Sequence, residues 1–206
     1  MNFELPKIYP ITDERLSKIS HTEQVEKLIE AGARFIQLRE KYASAREFYE
    51  SAESALKIAR KYNVKIIIND RVDIALALKA DGVHLGQDDL PPAEARKILG
   101  EKAIIGFSTH NIEQAIAAVR LPIDYLAFGP IFATKTKEIS DAVVDLEGLI
   151  KVREATGIFP LVAIGGICLE NLPEIYKAGA NSAAIISDLV SDAEKIGANY
   201  KLLSSL

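Results

Sequence analysis

Residues 65–71 read KIIINDR, in which the apolar run at residues 66–68 passes directly into polar side chains. A strand that is covered on both faces is apolar throughout, and this pattern is typical of parallel strands. The segment Leu161–Ile164 has the same character and is followed by Gly165 and Gly166. Both segments therefore predict buried parallel strands that end in polar or glycine-rich loops.

Segments of this kind recur along the chain and alternate with amphipathic stretches of helical spacing. The predicted strands are Ile8–Thr12, Phe35–Arg39, Lys65–Asn69, Gly82–Leu85, Ile104–Ser108, Tyr125–Phe128, Leu161–Ile164 and Ser182–Ser187. The predicted helices are His21–Ala31, Ala45–Tyr62, Ala93–Leu99, a helix that begins after the N-cap residue Asn111, Leu146–Thr156, Leu169–Ala178 and Asp188–Leu203. This alternation is compatible with a closed barrel and with a doubly wound sheet.

Two observations favour the barrel. Polar residues and glycines cluster after nearly every strand, as expected when all of these loops share one face. The Gly-x-Gly-x-x-Gly motif of dinucleotide-binding sheets does not follow the first strand. We therefore predict an α/β fold, a single (β/α)8 TIM barrel that forms one domain over residues 1–206.

Composition and charge exclude several classes of protein. A net charge of −4 gives no general reason to expect a nucleic-acid partner. No apolar stretch approaches the roughly 20 residues of a membrane helix, and no signal peptide is visible at the start. A single cysteine, Cys168, rules out an internal disulfide and a cysteine-based zinc site. The expectation is a cytoplasmic protein that has small-molecule partners, binds neither nucleic acid nor membrane, and can form a homo-oligomer.

The polar residues after the predicted strands suit an anionic substrate together with a divalent metal ion. Mg²⁺ prefers one or two carboxylates plus water and phosphate oxygens, and Asp70 and Asp89 can supply the carboxylates. Arg39, Lys41 and Lys137 can neutralise the charge of a diphosphate. The glycines after the seventh strand, with the amides that start the helix after the eighth, match the usual phosphate cradle of a barrel. Two phosphate subsites are therefore predicted.

Each of these features also has an ordinary explanation. Asp70 and Asp89 can be helix caps or turn residues, and residues 39–41 can be a solvated charged loop. We expect His84 to be structural and His21 to lie on the surface near a helix start, whereas His110 lies at the rim with or without a role. The coincidence of so many polar groups on one predicted rim favours a functional site.

Taken together, these segments resemble the thiamine phosphate synthase family from about Ile8 to Val190. The motifs that carry the resemblance are Gln37–Lys41, Asn69–Asp73, Asp81–Asp89, Gly106–His110, Gly129–Phe132, Thr134–Lys137 and Ala163–Ile167. The resemblance implies a transferase with the (β/α)8 fold that uses Mg²⁺ to join a hydroxymethylpyrimidine diphosphate to a thiazole phosphate. It also implies a dissociative reaction without a side-chain nucleophile.

The resemblance further implies a role for each site residue. The pyrimidine diphosphate would be held by Gln37, Arg39, Lys41, Asn69, Ser108 and Lys137, of which Arg39, Lys41, Ser108 and Lys137 would be catalytic. The thiazole phosphate would be held by Thr134, Thr136, Gly166, Ile186 and Ser187, and the metal ion by Asp70 and Asp89. Two departures from the family pattern are Ala133, expected to loosen its loop, and Phe107, expected to alter the pocket wall.

Two alternatives stay open at this stage. A thiazole tautomerase-like paralogue has the same fold, but that branch tends to lose the metal carboxylates and has a histidine where this chain has Pro130. A non-catalytic phosphate-binding barrel would have no need for paired carboxylates beside a full set of cations. The synthase interpretation is therefore preferred.

Overall fold

In the computed structural model, described over residues 4–134 and 142–206, eight parallel strands close into a barrel in chain order. The strands are β1 (Ile8–Thr12), β2 (Phe35–Leu38), β3 (Lys65–Asn69), β4 (Gly82–Leu85), β5 (Ile104–Thr109), β6 (Tyr125–Phe128), β7 (Leu161–Ile164) and β8 (Ser182–Ile185). The predicted (β/α)8 barrel is confirmed. Three strand ends were predicted wrongly, since β2 and β8 end before Arg39 and Ile186, and β5 continues through Thr109.

The helices surround the barrel. They are α1 (Glu14–Ser17), α2 (His21–Glu30), α3 (Ala45–Lys61), α4 (Val72–Leu78), α5 (Pro92–Leu99), α6 (Ile112–Ala118), α7 (Asp145–Thr156), α8 (Leu172–Lys177), α9 (Ser187–Val190) and α10 (Ile196–Ser204). The helices α1 and α4 were not predicted, and the predicted helix Asp188–Leu203 is divided between α9 and α10. No helix within the described ranges is long and apolar enough to cross a lipid bilayer.

The side chains of each strand alternate between two apolar cores, as the pleat of a strand requires. The inner core fills the barrel with Tyr9, Ile11, Phe35, Ile67, Ile104, Tyr125, Ala127, Val162 and Ala184. The outer core joins the barrel to the helices and includes Phe107. The expectation that Phe107 alters the pocket wall is therefore wrong, because its ring packs toward the helical layer.

Local sequence signals fix several helix starts. Ser20 and Ser44 each form a capping box with the glutamate three residues later. The predicted N-cap Asn111 is confirmed, because its Oδ1 accepts a hydrogen bond from Gln114 N at 2.8 Å. Gly100 ends α5 with φ of 81°, a conformation that favours glycine.

His21 lies in the interior, so its predicted surface location is wrong. The side chain is completely buried, and its Nδ1 lies 2.7 Å from Thr12 Oγ1. Burial lowers the pKa of His21, and the carboxylates of Glu14 and Glu40, each 4.0 Å from Nε2, oppose this shift. Packing of the first turn of α2 against β1 explains why a helix start is hidden from solvent here.

Candidate active site

A cavity of about 590 Å³ opens at the carboxyl ends of the strands, where catalytic groups of (β/α)8 barrels gather. Most of the predicted site residues line it. They are Gln37, Arg39, Lys41, Asn69, Asp70, Asp89, Ser108, Thr134, Gly166, Ile186 and Ser187. The other two, Thr136 and Lys137, lie outside the described residues.

Asp70 and Asp89 form an acidic pair at the ends of β3 and β4. Asp70 has a left-handed φ of 62°, and its amide donates to His84 O at 2.8 Å. Burial raises the pKa of Asp70, and the charge of Asp89 adds to this rise against the opposing effect of Lys41. Asp89 Oδ2 accepts from Gly86 N at 2.6 Å. Neither aspartate is a helix N-cap, because these positions are held by Arg71 and Pro91.

Arg39 is held by a carboxylate that the sequence analysis missed. Arg39 Nη1 donates to Asp13 Oδ2, and the two residues are only 7% and 5% exposed. Asp13 is itself fixed, since its Oδ1 accepts from Leu16 N at 3.0 Å and its amide donates to Gln24 Oε1 at 3.0 Å. A guanidinium has five N–H donors, so this pairing leaves others for a ligand. Asp13 could have been found from its position directly after the first strand.

The loop after β2 is ordered by its own glutamate. Glu40 Oε1 accepts hydrogen bonds from Tyr42 N at 2.7 Å and Ala43 N at 3.1 Å. This turn carries Lys41, whose Nζ donates to Asp70 Oδ2 while its side chain is 42% exposed. The explanation of residues 39–41 as a solvated charged loop therefore fails for Arg39 and Glu40, and Lys41 joins the acidic pair.

Polar groups on β3, β4 and β5 line the same cavity. Asn69 Nδ2 is buried and has no hydrogen-bond partner among the described residues, so this donor is available to a ligand. His84 Nε2 lies 2.8 Å from Ser108 Oγ. His110 Nδ1 donates to Gly129 O at 2.7 Å. His84 therefore has the structural bonding that was predicted, and it faces the cavity as well.

The opposite side of the cavity is built from a glycine turn and the end of β8. Gly165 and Gly166 have φ of 100° and 64°. A Cβ at Gly166 would lie 2.7 Å from Ala133 O, so the close approach of the two loops requires glycine. Asn171 holds this turn, because its Nδ2 donates to Gly166 O at 3.0 Å and its Oδ1 accepts from Cys168 N at 2.9 Å.

A closed parallel barrel with an acidic pair, adjacent cations and a glycine turn at one mouth is the architecture of (β/α)8-barrel enzymes that act on phosphorylated substrates. The family model for thiamine monophosphate synthase matches residues 8–189 of this chain. The chain therefore belongs to the thiamine monophosphate synthase family, and both the predicted family and the predicted enzyme class, a transferase, are confirmed.

Individual relatives agree with this assignment over nearly their whole length. The chain is 44% identical over 201 residues to the thiamine-phosphate synthase of Chloroflexus aurantiacus, covering 97% of this chain and 92% of that protein. It is 45% identical over 202 residues to that of Persephonella marina, with 97% and 94% covered. The solved structure of thiamine phosphate pyrophosphorylase from Pyrococcus furiosus superposes with a TM-score of 0.86 at 38% identity, covering 97% and 94%.

Proposed function

We propose that the protein condenses 4-amino-2-methyl-5-hydroxymethylpyrimidine diphosphate with 4-methyl-5-(2-phosphooxyethyl)thiazole to give thiamine phosphate and diphosphate. The observation that carries this proposal is the acidic pair beside Arg39 and Lys41, across one cavity from the turn at Gly165 and Gly166. The pair favours a synthase over the tautomerase-like branch. We propose that the chain acts as one catalytic domain in the cytoplasm on small molecules, with neither nucleic acid nor membrane as a partner. Homo-oligomer formation stays a prediction.

The residues present fit a magnesium ion. Asp70 and Asp89 are close enough for the charge of one to raise the pKa of the other, and a divalent cation between them would relieve this repulsion. Hard carboxylate oxygens are the ligands that Mg²⁺ prefers, and it usually keeps only one or two from the protein. When bound, Mg²⁺ would stabilise the negative charge of the departing diphosphate.

The side of the cavity nearest this pair would bind the pyrimidine diphosphate. Arg39 is fixed by Asp13, so its remaining N–H donors are preorganised for phosphate oxygens. Lys41 contacts Asp70 and would add a second cation, and Lys137 a third. Asn69 Nδ2 would donate to the substrate, and Gln37 and Ser108 would contact the pyrimidine ring. Binding would thus satisfy a buried donor that has no partner within residues 4–134 and 142–206.

The other side of the cavity would bind the thiazole phosphate. The turn at Gly165 and Gly166 places backbone close to the ligand without side chains in the way. Ile186 and Ser187 at the end of β8 would complete this subsite. Thr134 lines the same cavity. Thr136 lies outside the described residues, and its role beside Thr134 is proposed only from its match to the family motif.

The mechanism needs positioning and charge stabilisation, and no side-chain nucleophile. Arg39, Lys41 and Lys137 would stabilise the charge that develops on the departing diphosphate. The electron-rich aminopyrimidine would share the positive charge that is left on its methylene, so bond cleavage would precede attack by the thiazole nitrogen. The protein would hold the two anions at a fixed distance and exclude water from the cation.

A substrate-pair assay tests the proposed function. The protein is incubated with both substrates, with either one alone, and with or without Mg²⁺, and the products are identified by mass. The proposal expects thiamine phosphate and diphosphate only when both substrates and Mg²⁺ are present. Isomerisation of a thiazole phosphate without any diphosphate release would support the tautomerase alternative, and tight binding without turnover would support the non-catalytic barrel.

Replacing Ser187 by glutamate is expected to raise the KM for the thiazole phosphate about tenfold or more, with little change in the KM for the pyrimidine diphosphate. The physical reason is like-charge repulsion between the new carboxylate and the phosphate. Steady-state kinetics with each substrate varied in turn measures the effect. The control, Ser205→Glu, places the same charge on an exposed residue at the end of α10. A selective rise in the KM for the pyrimidine diphosphate would show that the two subsites are exchanged.

A further inference from the structure

A continuous chain of side-chain hydrogen bonds crosses the floor of the cavity, and we call it the floor relay. It runs from Gln37 Nε2 to Tyr9 Oη at 2.9 Å and from Tyr9 Oη to Tyr125 Oη at 2.9 Å. It continues from Tyr125 Oη to His84 Nδ1 at 3.0 Å and from His84 Nε2 to Ser108 Oγ at 2.8 Å. The relay thereby connects two residues that are proposed to contact the pyrimidine ring.

The two tyrosines lie beneath the cavity and are almost completely buried, whereas the other three members line it. The His84 and Tyr125 rings stack at 5.5 Å. Gly106 makes room for this contact, because a Cβ there would lie 2.1 Å from Tyr125 Cζ and 2.5 Å from His84 Nδ1. Residues of β4, β5 and β6 therefore hold this part of the relay in place.

One direction lets every hydroxyl of the relay both accept and donate. The amide nitrogen of Gln37 can only donate, so Tyr9 accepts from it, and in this direction Tyr9 gives its single hydroxyl proton to Tyr125. In the reverse direction Tyr9 would accept twice, and its own proton would have no acceptor within the relay. Tyr125 then gives its proton to His84 Nδ1. A neutral imidazole that accepts at Nδ1 carries its proton on Nε2, so His84 donates to Ser108. Ser108 is left with its own proton as a donor toward the cavity, and Gln37 is left with Oε1 as an acceptor.

We propose that the floor relay is a specificity determinant, in which His84, Tyr9 and Tyr125 are positioning residues that fix an acceptor at Gln37 and a donor at Ser108. This inference rests on the proposed function, because it concerns the pyrimidine side of the same cavity. A 4-aminopyrimidine complements this pattern, since its amino group donates to Gln37 Oε1 and a ring nitrogen accepts from Ser108. A 4-oxo analogue has an oxygen in place of the amino group. That oxygen and Gln37 Oε1 are both acceptors, so they cannot form this hydrogen bond.

The test is equilibrium binding by calorimetry, without the thiazole phosphate, of the 4-amino pyrimidine diphosphate and its 4-oxo analogue to the unaltered protein and to Tyr125→Phe. The substitution removes the middle link of the relay without touching the ligand. The preference is the ratio of the Kd of the 4-oxo compound to the Kd of the 4-amino compound. We expect this ratio to be on the order of tenfold lower in Tyr125→Phe than in the unaltered protein, which is the usual size of one hydrogen-bond contribution. The control Tyr176→Phe also removes a hydrogen-bonded hydroxyl, the one that donates to Lys7 O at 2.9 Å, away from the cavity.

Two further measurements keep the proposal falsifiable. If Tyr125→Phe does not fold, Tyr9→Phe breaks the adjacent link and is expected to reduce the same preference.

Nitrogen-15 NMR of the unaltered protein near pH 8, where an imidazole is ordinarily neutral, is expected to show the His84 proton on Nε2. A proton on Nδ1, or an unchanged preference in a folded variant, would overturn the relay proposal. Absence of binding of either pyrimidine by the unaltered protein would instead count against the proposed function.

Discussion

The variant Asp89→Asn is expected to lower kcat/KM on the order of a hundredfold or more while leaving the fold intact. Asparagine Oδ1 can still accept the hydrogen bond that Gly86 N gives to Asp89 at 2.6 Å, so the loop after β4 keeps its conformation. The lost charge is one of the two that would bind Mg²⁺ and thereby stabilise the departing diphosphate. Steady-state kinetics over a range of Mg²⁺ concentrations measures the loss, and half-maximal activity should require more Mg²⁺.

A stability measurement separates this effect from unfolding. Since the charge of Asp89 raises the pKa of Asp70, the two carboxylates repel each other, and Asp89→Asn removes the repulsion. The Tm without Mg²⁺ should therefore be unchanged or higher, and the rise of Tm upon addition of Mg²⁺ should shrink, because less ion is bound to the folded state. Glu101→Gln, which removes one negative charge from an exposed residue outside the cavity, is the control. Activity and Mg²⁺ dependence that remain unchanged in Asp89→Asn would contradict the metal role.

The strands were predicted from the sequence nearly to the residue, because strands covered on both faces are apolar throughout. The run at Ile66–Ile68 lacks the spacing of an amphipathic helix, so it is predicted as a strand. The observed β3 begins and ends where the sequence predicts. Errors fall at strand ends that join the site. Arg39 leaves β2 to contact Asp13, and Ile186 leaves β8 as the N-cap of α9. Tertiary contacts at the mouth of the barrel decide these ends, and no local pattern encodes them.

The helices were less predictable where they are short. The four residues of α1 form one turn that is capped by Asp13, too short for a periodic pattern to be visible. The predicted helix Asp188–Leu203 is interrupted around Ser191 and Asp192, whose side chains bond to Ser187 O at 2.6 Å and Glu194 N at 3.1 Å. Such local bonds compete with helix formation, and a hydrophobic pattern does not reveal them.

The candidate site was predicted through its charged residues and missed in its supporting ones. Asp70 and Asp89 follow predicted strands, so they could be placed at the barrel mouth from position, and both line the cavity. Tyr9 and Tyr125 occupy inward positions that the sequence pattern does not distinguish from ordinary core, and their hydroxyls meet only in the folded barrel. Asp13 had the same positional signal as the others, directly after its strand, so sequence reasoning extended to the first strand end would have found it.

The variant Arg39→Gln is expected to lose both stability and activity. Removing the guanidinium leaves the carboxylate of Asp13 buried without a counter-ion, which typically costs about 3–5 kcal/mol of the free energy of unfolding. Turnover should also fall on the order of a hundredfold, because the variant lacks the preorganised cation that is proposed to bind the diphosphate. Urea denaturation measures the first effect, and steady-state kinetics under conditions where the variant is folded measures the second.

The double variant Asp13→Asn with Arg39→Gln separates the two roles of Arg39. Asparagine is also a good N-cap, so the bond from Leu16 N to residue 13 at 3.0 Å can persist and α1 keeps its start. Without a buried unpaired charge, the double variant should recover much of the stability that Arg39→Gln loses, yet its turnover should stay as low. Asp13→Asn alone leaves the guanidinium of Arg39 buried without its counter-ion, so it should also lower the free energy of unfolding. It should raise the KM for the pyrimidine diphosphate as well, because the cation is no longer held in place. If turnover recovers together with stability in the double variant, Arg39 supports the barrel mouth and has no part in binding the diphosphate.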